Sequence, residues 1–194
     1  LSSLQTPPAP DARWSDVFNT LAPQIHQYQL PLGPLHDLLD AFEQDVVYTR
    51  DGRGYADRPA LLAYCQHSAN PIGRLLLHLY RVNDADSLRR SDAICTALQL
   101  INFWQDLSVD IPRGRHYMPE NSNLREELRY VTALMAQGAS LVHLVPGRMG
   151  WELRMVVQGG LCILDKCWRI DTYQTRPVLT WRDAPGMLWR ALQM

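Results

Sequence analysis

Neither sign of charge dominates this chain: 19 Lys and Arg stand against 20 Asp and Glu in 194 residues, a formal net charge of −1. Without a basic excess there is no electrostatic footprint for nucleic acid. No run of about 18 apolar residues occurs, so no segment is built to span a membrane as a helix. The first residues lack the basic-then-apolar layout of a signal peptide. Cysteine is sparse, and Cys65, Cys95, Cys162 and Cys167 lie in apolar-patterned segments with no paired C-x-x-C spacing. That pattern speaks against a zinc site or a disulfide framework and for buried, reduced thiols in a reducing compartment. No strand-period alternation competes with helical spacing, and there is no internal repeat. The expectation is one all-α domain, residues 1–194, long enough to bury a sizeable core.

Residues 1–11 are rich in Ser and Pro and read as a loop or a cut end. Residues 12–27 then carry Trp14, Val17, Phe18, Leu21 and Ile25 at helical spacing. After the break at Pro31-Leu32-Gly33-Pro34, a helix is expected over 35–50, with Leu35, Leu38, Leu39, Phe42 and Val46 forming its apolar face. Its acids Asp37, Asp40, Glu43 and Asp45 read as a solvated face. The alternative is that Asp40, Gln44 or Asp45 edges a charged cavity mouth. Pro59 opens the next helix, and Asn70-Pro71 interrupts it. Gly73 permits a second helix to approach closely, and the Gly159-Gly160 pair calls for close packing or a bend. His67 and His78 read as satisfied or surface residues, not ligands. Further helices are expected over 124–144, 149–170 and 180–194.

The stretch from Leu98 to Asp110 departs from an ordinary surface helix. On a continuous helix at about 100° per residue, Gln99, Asn102, Asp106 and Asp110 share an arc of about 80°. Around that arc lie Leu98, Leu100, Ile101, Phe103, Trp104 and Leu107, with Gln105 and Ser108 the polar interruptions. A helix so apolar is expected to be buried, with a narrow polar seam facing inward. Asp106 and Asp110, one turn apart, bring two carboxylates within about 5–6 Å at Cβ. In an apolar setting they repel unless a cation compensates. Hard oxygen ligands of this kind suit Mg2+, which commonly bridges one or two carboxylates to a substrate's phosphates. The blander alternative, a solvated polar face, stays open at this point.

The segment A-L-Q-L-I-N-F-W-Q-D-L-S-V-D-I-P-R-G-R-H-Y-M-P, Ala97 to Pro119, resembles the second aspartate-rich motif of the squalene/phytoene synthases. The aromatic F-W-Q-D version is most similar to the bacterial hydroxysqualene-synthase branch of hopanoid pathways. Asp37 to Asp45 with Thr49-Arg50, Tyr64-Cys65 with Ser68 to Gly73, Pro146 to Arg148 and Gly160 to Lys166 resemble further segments of that family. The resemblance implies an isoprenoid-synthase helical fold around a deep cavity, acting on prenyl diphosphates with Mg2+ as cofactor. It implies that Asn102, Asp106 and Asp110 bind the metal, with Asp106 and Asp110 carrying catalysis. Gln99, Asn102, Arg115 and Tyr117 are implied to meet the substrate.

The implied reaction converts presqualene diphosphate and water to hydroxysqualene and diphosphate. A cytoplasmic site is expected, with peripheral contact at the inner membrane face because such substrates partition into lipid, and with room for pathway-enzyme partners. The first D-x-x-x-D motif of the family has no match in residues 1–30, so the fold is expected to be incomplete at the N-terminus. Position 67 carries His where squalene synthases place a tyrosine, and Gln105 replaces the usual Arg. The alternative is therefore a catalytically inactive homologue serving as a helical partner-binding domain.

Overall fold

The computed structural model describes residues 15–194. The readings made on residues 1–11 and on Trp14 lie outside that range. The helices are α1 (Ser15–Gln27), α2 (Leu32–Asp51), α3 (Arg58–Ser68), α4 (Asn70–Leu79), α5 (Ala85–Gln105), the one-turn α6 (Leu107–Asp110), α7 (Leu124–Gly138), α8 (Gly147–Arg169) and α9 (Ala184–Gln193). Among the described residues, β structure amounts to one isolated bridge between Gly54 and His116. The all-α expectation holds.

α5 is the axis, with α3, α4, α7 and α8 packed around it. Asp84 caps it, its carboxylate accepting from the Ser87 N–H at 2.8 Å. Its buried positions, among them Ile94, Ala97, Leu100, Ile101, Phe103 and Trp104, fall on several sides of the helix. That distribution is what a helix enclosed by others requires. Two glycines set the neighbours' distances. A Cβ at Gly73 would collide with Ser91 Oγ and lie 2.6 Å from Cys95 Sγ, so the side chains of α5 pack directly on the α4 backbone there. A Cβ at Gly160 would lie 2.6 Å from Leu98 Cδ2, which draws α8 onto the same helix. Gly159 meets only ordinary contacts. Close packing thus accounts for Gly73 and Gly160, as expected.

α2 corrects one expectation. Leu39, Phe42 and Val46 are 49%, 60% and 69% exposed, so the anticipated apolar face points largely to solvent. Its inner side carries Ala41, Gln44, Asp45 and Tyr48. The reason is the neighbour: α2 faces a group of buried tyrosines whose hydroxyls need polar partners. Gln44 Nε2 reaches the Tyr55 hydroxyl at 3.3 Å, and the Tyr117 hydroxyl donates to Asp45 at 2.6 Å. The acidic run therefore divides, with Asp40 and Glu43 exposed and Asp45 turned inward.

Other boundaries shift modestly. α7 stops at Gly138, where a Cβ would press on Arg90 O and lie 2.6 Å from Ile94 Cγ1, and the chain tightens into a 3-10 turn, Ala139–His143. The last helix begins at Ala184, after a turn in which Asp183 accepts from the Thr180 N–H at 2.6 Å. The four thiols are free, with Cys65, Cys162 and Cys167 buried and Cys95 half-buried. Burial pushes Cys65 and Cys167 up to about 12 and Cys95 up to about 11, which leaves them protonated and unreactive at neutral pH. His67 is exposed, and His78 Nε2 sits 3.1 Å from Tyr28 O.

Candidate active site

The helix carrying the seam does not run straight through it. Asp106 adopts φ −99° and ψ 9°, ending α5, and α6 resumes at Leu107. This corrects the continuous helix assumed above. The cause is a long-range hydrogen bond: Ser108 N–H donates to Thr172 O at 3.0 Å and so leaves the α5 ladder.

Gln99, half-buried, and Asn102, exposed, line a hollow of about 420 Å3 together with Ser68, Ile72, Cys95 and Leu98. Ile72, Cys95 and Leu98 also line a second, more enclosed hollow of about 300 Å3 between α4, α5 and α8. Its remaining walls are almost wholly apolar, with Leu76, Leu77, Leu141, Met149, Leu153 and Val156. The two hollows adjoin across Ile72, Cys95 and Leu98 as a groove that is greasy on one side and amide-bearing on the other. Such a shape suits a long apolar chain with a polar head.

Asp106 and Asp110 lie further along, past the break. The Asp106 side chain is 17% exposed, and Arg176 holds both of its oxygens, Nε on Oδ1 and NH2 on Oδ2 at 3.4 Å. Asp110 is buried, with Arg115 NH1 3.6 Å from its Oδ1. Burial, and then the charge of Asp106, push the Asp110 carboxyl above the usual range. Two carboxylates are thus held close together at low exposure, with arginines as their counter-charges. Sequence reading missed Arg176, which lies 70 positions from Asp106.

Arg115 and Tyr117 stand apart from the groove. Tyr117 is buried, its ring stacked on Phe103 at 3.9 Å between centroids, with Tyr55 and Tyr64 at 6.3 Å. Desolvation and the hydrogen bond to Asp45 raise its pKa far above the ordinary tyrosine range, so it stays a neutral donor. Arg115 bridges two places, pairing with Asp110 and lining a small crevice with Asp45, Arg53 and Tyr117.

Three buried polar atoms without a hydrogen bond within the protein flank this turn: Trp104 Nε1, Arg115 Nε and Thr172 Oγ1. Folded proteins leave few such atoms. Among the described residues no three His, Cys, Asp or Glu side chains converge on a point, so an all-protein metal cage is absent. Two carboxylates and an amide nevertheless fit a hard, largely hydrated cation such as Mg2+, which keeps several waters and shares the rest of its shell with substrate phosphates.

Helices thus enclose an apolar groove with an acidic turn at one end, and comparison with known proteins gives the family. The profile of the squalene/phytoene synthase family matches residues 2–129. The chain is similar to hydroxysqualene synthase of Zymomonas mobilis, 40% identical over 86 residues, which cover 44% of this chain and 27% of that protein. It is also similar to hydroxysqualene synthase of Sinorhizobium fredii, 34% identical over 109 residues, 56% of this chain and 32% of that protein. The structure superposes on squalene synthase HpnC from Alicyclobacillus acidocaldarius with a TM-score of 0.73 and 30% identity, covering 90% of this chain and 72% of that one. The matched stretches thus span a third or less of the two curated relatives' lengths. The chain belongs to the squalene/phytoene synthase family.

Proposed function

We propose that this chain forms a prenyl-diphosphate-processing site, acting in hydroxysqualene or squalene formation. The observation that carries the reading is the conjunction along α5: an apolar groove with Gln99 and Asn102 at its mouth, and beyond it a sheltered carboxylate pair, Asp106 and Asp110. Asn102, Asp106 and Asp110 would hold Mg2+, which when bound neutralises the negative charge developing on a departing diphosphate. Gln99 orients the phosphate head by hydrogen bonding, and Arg115 and Tyr117 support the acidic turn and the substrate from behind. The groove takes the prenyl chain and keeps water off it until the chosen water arrives. By likeness to the hydroxysqualene synthases, the reaction is presqualene diphosphate plus water giving hydroxysqualene and diphosphate. Because the substrate partitions into lipid, peripheral contact with the inner face of the membrane belongs to the same reading. Among the described residues no helix is long and apolar enough to cross a membrane.

Mg2+ with inorganic diphosphate is expected to raise the melting temperature of the protein, and Asp106→Asn to remove that rise, by ligand linkage. Equal shifts in both proteins would overturn the ligand assignment. Turnover of presqualene diphosphate, followed by release of diphosphate, tests the reaction itself. The exposed stripe of Leu39, Phe42 and Val46 favours a second reading, a helical partner-binding domain without activity. In that case neither Mg2+ nor presqualene diphosphate changes the protein.

A further inference from the structure

Arg176 sits on the carboxylate that the preceding reading gives to a metal. Its guanidinium engages both oxygens of Asp106 in a fork. The segment bearing it is fastened on each side of Arg176. Before it, Thr172 O accepts from Ser108 N–H at 3.0 Å; after it, Pro177 O accepts from Gln105 Nε2 at 2.6 Å and Val178 O from Lys166 Nζ at 2.8 Å. Gln105 and Ser108 flank Asp106 in sequence, so the strap is tied to the same turn that it neutralises. Yet the Arg176 side chain is 43% exposed. A guanidinium so placed is held to its carboxylate by the strap but is free to swing outward.

We propose that Arg176 is the internal counter-ion of this site: it engages Asp106 and must leave before a divalent cation reaches that carboxylate. The inference rests on the reading of Asp106 as a metal ligand. A cation bound at about 2.0–2.1 Å from a carboxylate oxygen takes the lone pairs that the fork now uses, and its two positive charges repel the guanidinium. The arginine therefore lowers the affinity for the metal alone. It also shields the acidic turn from the self-repulsion of its two carboxylates.

The test is Mg2+ binding to the full chain, without diphosphate, by isothermal titration calorimetry, on wild type, Arg176→Gln, Arg176→Lys and Gln105→Ala. Arg176→Gln is expected to bind Mg2+ about two- to tenfold more tightly, the range of a partly exposed, charge-assisted pair. Gln105→Ala, which unhooks the strap and leaves the arginine in place, is expected to tighten binding by a smaller factor. Arg176→Lys keeps the charge and is expected to lie near wild type. Should Arg176→Gln fail to fold, Gln105→Ala carries the test. If wild type binds Mg2+ and neither Arg176→Gln nor Gln105→Ala binds it more tightly, the counter-ion idea falls and the metal assignment stands. If none of the proteins binds Mg2+ alone, the counter-ion idea falls, and the metal assignment is decided by the melting shift with Mg2+ and diphosphate.

Discussion

A methyl group at position 73 tests the packing on which the groove depends. Gly73 lies in the second turn of α4, and its missing Cβ is what lets Ser91 and Cys95 of α5 come so near. In Gly73→Ala the new atom would overlap Ser91 Oγ and stand 2.6 Å from Cys95 Sγ, whereas the Cβ of Ser91 is 3.6 Å away. Overpacking of this kind costs about 1–3 kcal/mol. Exchanging a helical glycine for alanine returns about 1 kcal/mol. The net expectation is a loss of roughly 0–2 kcal/mol, or a fall in Tm of up to about 8 °C for a domain of this size. The decisive step is the background. With Ser91→Ala and Cys95→Ala in place, both intruding atoms are gone and the nearest neighbour lies at an ordinary 3.6 Å. There Gly73→Ala is expected to stabilise, by up to about 1 kcal/mol. Urea unfolding followed by circular dichroism on the four proteins closes the cycle, with a coupling of about 1–3 kcal/mol. Equal effects of Gly73→Ala in both backgrounds would show that the α4–α5 spacing is set by something else.

Two other perturbations act away from the groove. Glu127 is 1% exposed and its carboxylate takes three short contacts from Arg58, the closest at 2.8 Å. Arg58→Met strands that buried charge and is expected to cost about 3–5 kcal/mol in urea unfolding, while Arg58→Met with Glu127→Leu recovers most of it; a loss below about 1 kcal/mol for the single variant would contradict the buried-pair account. Asp183 is held down to about 2 by its hydrogen bond to Lys166 and by the Thr180 N–H and hydroxyl. Its folded pKa is below the unfolded one, so it contributes stability that is present above about pH 4 and is lost as pH falls towards 2. Acid unfolding of Asp183→Asn is expected to show a weaker dependence on pH in that window than wild type, and identical profiles would refute the assignment.

What a sequence discloses about such a chain depends on the range of the force involved. Helix spacing, the break at Pro71 and the small-residue contacts at Gly73 and Gly160 were legible because propensity and sterics act within a few residues. The burial of α5 was legible too, since apolar residues on several sides leave a helix no solvent face. The orientation of α2 was not. Its stripe of Leu39, Phe42 and Val46 is the stronger local signal, but Tyr55 and Tyr117 demanded the Gln44 and Asp45 side instead. Glu127 likewise gave no warning, because its partner Arg58 comes from 69 residues away.

The acidic turn shows the same limit with a functional consequence. Read as one uninterrupted helix, Asn102, Asp106 and Asp110 fall on a single seam, and a cation would be required to hold them together. The chain instead turns at Asp106 because Thr172, 64 positions after Ser108, accepts a backbone hydrogen bond there. That bond also lays the strap with Arg176 across the first carboxylate. A buried acid with a raised pKa, unpartnered polar atoms at Trp104, Arg115 and Thr172, and a broken helix are each locally unfavourable. A fold tolerates several such features in one place where a ligand later satisfies them. Their concentration at one end of an otherwise well-packed helix is therefore a stronger pointer to chemistry than the aspartate spacing that first drew attention to it.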